Sequence, residues 1–570
     1  MFKKNKAHQQ PALISAISDL PEKQCERLKQ SWAGTFYREF FSRINEDSFS
    51  VLYSEQPSRP NIPVNVLVGL EAIKAGFGWS DEELYEAFLY NLQVRYALGY
   101  DRLGDGDFEL RTVYNFRRRL SEHNLKVGVN LLEQAFENIT DQQIVELKVR
   151  TGVQRMDSTQ IASNILDASR LHLLVEGIQR LQRLLSKEEQ QQWRETFAPY
   201  LKGTAGQYAY HVKGKEATQE HLQRAGQALV TLLAGLQAKY ETETIYQVVR
   251  RLLDENFHVQ LETIYVKENS ELPADSLQSL DDLEATYHTK GNQHYKGYVA
   301  NVTETCDPEN DIQLITKVQV ASNTTSDPLL LNEALPNLKQ RTDLDTLITD
   351  GGFPSETNDQ DLHNLNIRLI QTGIRGTKPD PNRFNLTDFH IEQNAEGKPT
   401  CVTCPHGQTT IATPGKTTGW FARFPAEACS VCPFQLNQRC RAKPQLRDPR
   451  YFIDFTLNEF RIAQRRADHL VHKDSQHNLR AAVEATVRSI KLSFPASKLP
   501  VRGKFRMACL MVASAIHVNV RRIWRYQTEI AQKIEEQTAQ NAAALFSRLR
   551  QLCHIVRRFL SLPSCTASFS

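Results

Sequence analysis

The alternation of hydrophobic and polar positions predicts helices in the first part of the chain. Residues 64–75 repeat apolar positions with a helical period, and Gly76 and Gly78 end that pattern. The next stretch, WSDEELYEAFLYN, predicts a further helix because Ser80 and Glu83 have the spacing of a capping box. The N-terminal region is therefore predicted to be helical.

A further predicted helix, residues 111–120, carries a basic patch. Arg117, Arg118 and Arg119 follow one another near its end. Short helices with a basic last element suit a helix-turn-helix-like DNA binder. A plain helical bundle with a solvated basic end explains the same pattern, so both interpretations stand.

From residue 153 the pattern is typical of an α/β domain with a mixed sheet. Residues 153–163 predict a strand with Asp157 at its middle, and residues 165–258 predict a helical insertion. Strands are then predicted at 294–305, 312–322, 344–350 and 367–373, with helices at 327–341 and 355–366. Asp350 ends its predicted strand, directly before two glycines.

The stretch HNLRAAVEATVRSIK, residues 477–491, predicts an amphipathic helix with one acid in a basic setting. At about 100° per residue, one side of this helix carries His477, Arg480, Glu484, Arg488 and Lys491. Between residues 477 and 528 the chain has ten Lys or Arg and a single acid, Glu484. An ordinary surface helix would pair that glutamate with the arginines at i±4. A second helix is predicted over about 505–526.

Composition and charge say little about partners but argue against a membrane protein. The 570 residues are 40% hydrophobic and 24% charged, with a net charge of +3, as in a globular protein of about three or four domains. The basic N-terminus lacks the apolar run of a signal peptide. The longest near-apolar stretch, residues 507–520, is too short and too polar to span a bilayer. We therefore expect a cytoplasmic protein.

Three carboxylates carry the predicted chemistry. Asp157 and Asp350 lie on two strands, and Glu484 lies on the amphipathic helix. Such a set can hold two Mg²⁺ (or Mn²⁺) ions for phosphodiester cleavage. The cations expected to face DNA phosphates are Arg480, Arg488 and Lys491. Taken singly, an aspartate at a strand end is more often a cap or turn residue.

These motifs resemble the DDE transposases of bacterial insertion sequences, in the branch with a Tyr-x2-Arg-x3-Glu-x6-Lys signature. Here His477, Arg480, Glu484 and Lys491 have that spacing, with His in place of Tyr. The stretches MDSTQIAS and LITDGGF resemble the strands of the first and second aspartates. The likeness spans about residues 55–525, and the helical insertion lengthens the distance between the two aspartates.

The resemblance implies an RNase H-like catalytic core and a nucleoid-associated enzyme. Such an enzyme binds terminal inverted repeats, cleaves DNA with Mg²⁺ to free 3′-OH ends and joins those ends to target DNA. It commonly works as a homodimer in its complex with DNA. Arg480 and Lys491 would contact the DNA end, and Trp420 would hold a flipped base, although a buried core tryptophan explains Trp420 as well. The alternatives are an RNase H-fold nuclease without strand transfer and a non-enzymatic DNA-binding descendant of a transposase.

Cysteine spacing predicts a structural zinc site. Two CxxC pairs, Cys401 with Cys404 and Cys429 with Cys432, are separated by 24 residues, and paired knuckles of this kind place four thiolates around Zn²⁺. Cys440 and His406 are spare ligands, and reduced cysteines without a metal are the alternative. Residues 401–440 have too little apolar content for a core of their own, so we expect the metal to fold them.

These predictions divide the chain into seven segments. They are a helical DNA-binding domain at 1–145, the first strand of the RNase H-like core at 146–165, a mainly helical insertion at 166–283, the continued core at 284–380, a zinc-ribbon-like insertion at 381–450, the C-terminal core helices at 451–530 and a helical tail at 531–570.

Overall fold

The computed structural model describes residues 1–560 apart from short gaps. The gaps are residues 11–14, 16, 18, 57–59, 103, 202, 204–211, 261–262, 374–379, 395, 416–418, 446–447, 492 and 495–497. Side chains are described at the remaining positions except 469–483, 554 and 557–560. The predicted DNA contacts of His477 and Arg480 therefore lie outside the described side chains.

Contacts divide the chain into two compact units. The first comprises residues 1–70, 80–112 and 516–570, and the second comprises residues 71–79 and 113–515. In the described part of the chain, no helix combines the length and the apolar character that crossing a membrane requires.

The N-terminal region is helical, as predicted. Its helices are α1 (Glu22–Gln30), α2 (Trp32–Glu39), α3 (Val64–Phe77), α4 (Asp81–Tyr90), α5 (Leu92–Ala97), α6 (Arg111–Val127) and α7 (Leu131–Glu146). Ser80 and Glu83 form the predicted capping box at the start of α4. The buried Arg95 lies against the rings of Phe88 and Tyr100 and donates to backbone carbonyls, so its charge is accommodated inside the first unit.

A curled mixed sheet lies in the second unit. The strands up to residue 371 are β1 (Val153–Ala162), β2 (Phe257–Gln260), β3 (Thr263–Val266), β4 (Thr286–Lys290), β5 (Gln293–Thr305), β6 (Ile315–Ser322), β7 (Thr346–Thr349) and β8 (Arg368–Gln371). The sheet has the order β4-β5-β1-β7-β8, and β6 also pairs with β5. Because β1 is antiparallel to β5 and parallel to β7, the predicted mixed α/β architecture is confirmed.

The predicted helical insertion forms a layer with its own core. Its helices are α8 (Arg170–Leu184), α9 (Lys187–Gln192), α10 (Arg194–Phe197), α11 (Lys215–Tyr240) and α12 (Thr244–Asn256). Their apolar sides meet in one cluster that includes Leu174, Leu229 and Leu252. The β2–β3 hairpin adds Phe257 and Ile264 to the same cluster, so this segment is stabilised by its own apolar contacts.

Different helices cover the two faces of the mixed sheet. The remaining helices are α13 (Asp327–Arg341), α14 (Glu356–Asn364), α15 (Ala426–Ser430), α16 (Pro433–Leu436), α17 (Leu457–Lys491) and α18 (Lys504–Leu560). Met156 packs with residues of α13 and α14. Side chains alternate across a strand, so Arg155 and Asp157 face the other side. There α17 approaches β1, and the Lys491 ammonium donates to the Thr159 hydroxyl.

A second sheet holds the cysteines. It consists of β9 (His390–Gln393), β10 (Pro399–Thr403), β11 (Thr409–Pro414), β12 (Gly419–Phe424), β13 (Lys443–Gln445) and β14 (Asp448–Thr456), in the order β13-β14-β12-β11-β10-β9. Residues 401–440 share an apolar core with neighbouring segments of the chain. The sheet buries Val402 and Phe424 together with Ile453, Phe455 and Phe460, because β14 and α17 supply apolar residues from beyond that segment.

Helix α18 joins the helix predicted over about 505–526 to most of the predicted helical tail. The predicted end near residue 526 was wrong, because the helix continues to Leu560. No Gly or Pro interrupts residues 504–560, so no backbone signal ends the helix earlier. Side chains are exposed at every position from 529 to 553.

Candidate active site

Two of the predicted acids lie on neighbouring parallel strands. In the pairing of β1 with β7, Arg155 stands opposite Ile348. Asp157 and Asp350 each lie two residues further along, so they reach the same level of the sheet. Asp350 is the first residue after β7, and its Oδ1 accepts a hydrogen bond of 2.7 Å from the Gly352 N–H.

The surroundings of Asp157 make its negative charge unfavourable. Burial, and next to it the Asp350 carboxylate, raise the pKa of Asp157 from 3.8 to about 6. Glu484 raises this pKa further, whereas Lys290 lowers it. Both of the other predicted acids therefore act on Asp157. A divalent cation would relieve this repulsion, so the chemistry of these residues fits a metal such as Mg²⁺.

Glu484 comes from α17, on the face of the sheet that carries Asp157. Its side chain is exposed, as is that of Arg488 one turn further along the helix. Thr486, which lies between them in the chain, is buried. The helix therefore turns its acid and one predicted DNA contact outwards while it remains anchored to the sheet.

Lys491 contacts the protein itself in this structure. Its Nζ donates to the Thr159 Oγ1 at 2.7 Å and to the Gln160 carbonyl at 3.1 Å, both on β1. Burial lowers the pKa of Lys491, the charge of Lys290 lowers it further, and the Asp157 carboxylate opposes this. Lys290 thus acts on both Asp157 and Lys491. The sequence did not single out Lys290, because only the β4–β5 hairpin brings this residue near the acids.

Two segments match known protein families. Residues 25–119 match the family described as Transposase domain (DUF772), and residues 403–524 match the family described as Transposase DDE domain. Together they indicate a DDE-type transposase of an insertion sequence. The second match includes Glu484, whereas Asp157 and Asp350 lie outside both segments. No curated protein and no solved structure gives a significant match to the chain.

The three consecutive arginines of the transposase differ in their surroundings. Arg117 lies in the second unit, where it forms an ion pair of 2.7 Å with Glu71 and is largely buried. Arg118 forms an exposed ion pair of 2.9 Å with Glu122, one turn along the same helix. Arg119 also has an interaction within the chain. Of Arg117 and Arg118, Arg118 therefore has the side chain that is more accessible to solvent.

Trp420 lies on β12 of the second sheet. Its strand pairs with β14 so that Trp420 stands opposite Phe455. The indole is partly buried against the apolar cluster of this sheet. One side of Trp420 therefore contributes to packing, and the rest remains accessible.

The thiols that neighbour one another in the structure differ from the set of four that the CxxC spacing predicts. Burial raises the pKa of the Cys429 thiol to about 11, and the neighbouring thiols of Cys440, Cys404 and Cys432 add to this rise. Cys401 instead lies within β10, opposite Ile411. Backbone N–H groups point at two of the grouped sulfurs, from Gln408 to Cys404 Sγ and from Ala442 to Cys440 Sγ, both at 3.4 Å.

Neither the acids nor the thiols form a complete metal site. Among the described side chains, no group of three or more His, Cys, Asp or Glu has the geometry to hold a metal ion. The fit of either group to a cation therefore rests on the chemistry of its residues.

Proposed function

We propose that this transposase binds the terminal inverted repeats of an insertion sequence, cleaves DNA there and joins the freed 3′-OH ends to target DNA. The observation that supports the proposal is that Asp157 and Asp350 lie at one level of neighbouring parallel strands, and that Asp350 and Glu484 both raise the pKa of Asp157. The strand order around β1 and the helix on its acidic face support an RNase H-like core. Joining two ends supports action as a homodimer on DNA.

The three acids would hold two Mg²⁺ or Mn²⁺ ions. Such ions activate the attacking oxygen and stabilise the leaving oxygen in phosphodiester cleavage. Asp157 and Asp350 are fixed by the sheet, whereas Glu484 approaches from the helix. The raised pKa of Asp157 means that a proton occupies part of this site in mildly acidic solution, and that the proton must leave before Asp157 can serve as a ligand.

The surface around Glu484 would bind DNA through its phosphates. Arg488 is exposed one turn from Glu484. Lys491 would reach the DNA end by exchanging its bonds to β1 for a phosphate oxygen. We assign the same role to Arg480 and His477, to Arg117, Arg118 and Arg119 of the helical region, and a base contact to Trp420. Binding through phosphates is strongly salt-dependent.

The second sheet would hold one structural Zn²⁺. Cys404, Cys429 and Cys432 belong both to the spacing-based set and to the group of neighbouring thiols. For the fourth ligand, the spacing of the chain favours Cys401, whereas proximity favours Cys440. Backbone N–H groups directed at ligand sulfurs stabilise thiolates, and the bond to Cys440 Sγ therefore supports the second choice.

The decisive experiment incubates the purified protein and Mg²⁺ with labelled DNA that carries the sequences flanking its gene. We expect nicking at the repeat ends and, with added target DNA, joined products. Asp350→Ala should abolish both, whereas Asp311→Ala, at an exposed aspartate in the turn before β6, should abolish neither. Cleavage without joined products would favour a nuclease. Binding without cleavage by either protein would indicate a DNA-binding descendant.

A further inference from the structure

A buried polar bridge links the strand that carries Asp157 to the helix that carries Glu484. The Arg155 Nε donates to the Glu304 Oε1 at 2.6 Å, and the Thr486 hydroxyl lies 2.9 and 2.8 Å from the two Glu304 oxygens. The Arg155 side chain is 7% exposed and the Glu304 side chain 0%. This group joins β1, β5 and α17.

The bridge lies beside the acids in the chain and on the same face of the sheet. Arg155 precedes Asp157 by two residues, so both side chains point to one face. Arg155 and Glu304 are direct partners in the β1–β5 pairing, so their side chains also share a face. Thr486 follows Glu484 by two residues on α17. Arg155 and Thr486 are thus each two positions from a proposed metal ligand, and Glu304 is the strand partner of Arg155.

The polar bridge is one tether between α17 and β1, and a second tether lies on the other side of Asp157. Lys491 of α17 donates to Thr159, two residues after Asp157. Residues 155, 157 and 159 share one face of β1, so the two tethers lie on either side of Asp157 along the strand. Together they restrict sliding and rotation of α17 over the position where Asp157 and Glu484 interact.

We propose that Arg155, Glu304 and Thr486 are positioning residues that set the approach of Glu484 to Asp157 and thereby the affinity of the site for its divalent ions. Their proposed role requires no contact with DNA or metal. This inference rests on the proposed function. A buried charge with an oriented hydrogen bond resists displacement, because breaking the bond leaves an unsatisfied oxygen in a dry environment.

The test uses Mn²⁺ binding to the full chain, followed by the loss of the free-ion signal in electron paramagnetic resonance. Thr486→Val keeps the shape of the side chain and removes its hydrogen bond to Glu304. We expect the Mn²⁺ concentration at half-saturation to rise roughly tenfold, as for the loss of one hydrogen bond to a charged group. Thr486→Ser keeps the hydroxyl and should bind Mn²⁺ as the wild type does.

Thr303→Val is the matched control. Thr303 is a buried threonine on the neighbouring position of β5, and its hydroxyl has no hydrogen-bond partner within the described residues. We expect this variant to bind Mn²⁺ with unchanged affinity. A shared loss of affinity in Thr303→Val and Thr486→Val would show a general response to core substitution and overturn the proposal.

The outcomes separate the bridge from the active site itself. Unchanged Mn²⁺ affinity in Thr486→Val, with the wild type binding more tightly than Asp157→Asn, would overturn the bridge and leave the proposed site standing. Equal affinities in the wild type and Asp157→Asn would overturn both. If Thr486→Val fails to fold, Glu304→Gln, which retains the acceptor for Thr486 and weakens the bond to Arg155, is expected to show the same rise at half-saturation.

Discussion

The replacement Asp157→Asn should stabilise the metal-free protein. The difference between the ordinary pKa of 3.8 and the value of about 6 in the folded chain corresponds to about 3 kcal/mol at 1.36 kcal/mol per pH unit. Because water reaches part of the side chain and screens its charge, we expect roughly 1–2 kcal/mol of this to be measurable. Asparagine removes the charge and keeps nearly the same shape.

The pH dependence fixes the sign of this prediction. The folded-state pKa of Asp157 is raised, so the folded state binds the proton more tightly than the unfolded chain does. The free energy of unfolding of the wild type therefore falls as pH rises from about 4 to about 6, and the full penalty is present above that range. The advantage of Asp157→Asn over the wild type should be largest at pH 8 and smaller at pH 5.

The assay is urea unfolding in a chelator at pH 5 and pH 8, followed by unfolding with Mg²⁺ at pH 8. Added Mg²⁺ should stabilise the wild type more than the variant, since only an ion bound to the folded state adds stability. As a control, Asp359→Asn should lower stability at both pH values, because both oxygens of Asp359 accept from Arg465 Nη1 at 2.8 Å. A variant at Asp157 that is no more stable than the wild type at pH 8 in chelator would refute the reasoning.

Three further predictions concern the rest of the chain. We expect elemental analysis to detect one zinc ion per chain in the wild type and in Cys401→Ser but none in Cys440→Ser; the reverse result for the two variants would restore the ligand set that the spacing predicts. Arg488→Ala should weaken DNA binding and reduce the slope of log affinity against log salt by about 0.9, whereas Arg450→Ala, at an arginine paired with Asp448, should leave the slope unchanged. Hydrogen exchange should be faster at residues 529–553 of α18, whose side chains are all exposed, than at the buried residues 510–517, and equal protection would contradict the idea that tertiary packing stabilises this helix.

The sequence predicted five strands of the mixed sheet because their signals are local, and it missed β4. Helix α13 has the predicted bounds of 327–341, and β1 has Asp157 at its middle, as its alternating pattern indicated. The capping box at Ser80 is also a local signal, since it needs only four consecutive residues. The acidic residues were singled out by their order along the chain, which a family signature around Glu484 made recognisable.

Contacts that depend on strand register could not be predicted from the sequence. Arg155 and Glu304 are 149 residues apart, and only the β1–β5 pairing makes them direct neighbours. CxxC spacing likewise pointed to Cys401, whereas the fold places Cys440 near the thiols of Cys432 and Cys404. The continuity of α18 with the predicted helical tail was missed because apolar periodicity weakens along an exposed helix even when its backbone remains helical.

The two tethers of α17 and the raised pKa of Asp157 have one physical explanation. Carboxylates that repel one another would separate if the helix could move. Contacts that are already satisfied without metal oppose that motion. The ion pair of Arg155 with Glu304, extended to Thr486, and the bond of Lys491 to Thr159 are such contacts. On this reasoning, weakening the Thr486 contact should lower the pKa of Asp157 only slightly, because burial and the Asp350 carboxylate raise it more than Glu484 does. An unchanged pKa of Asp157 in Thr486→Val, measured by carboxyl ¹³C shifts, would show that the sheet alone maintains the repulsion.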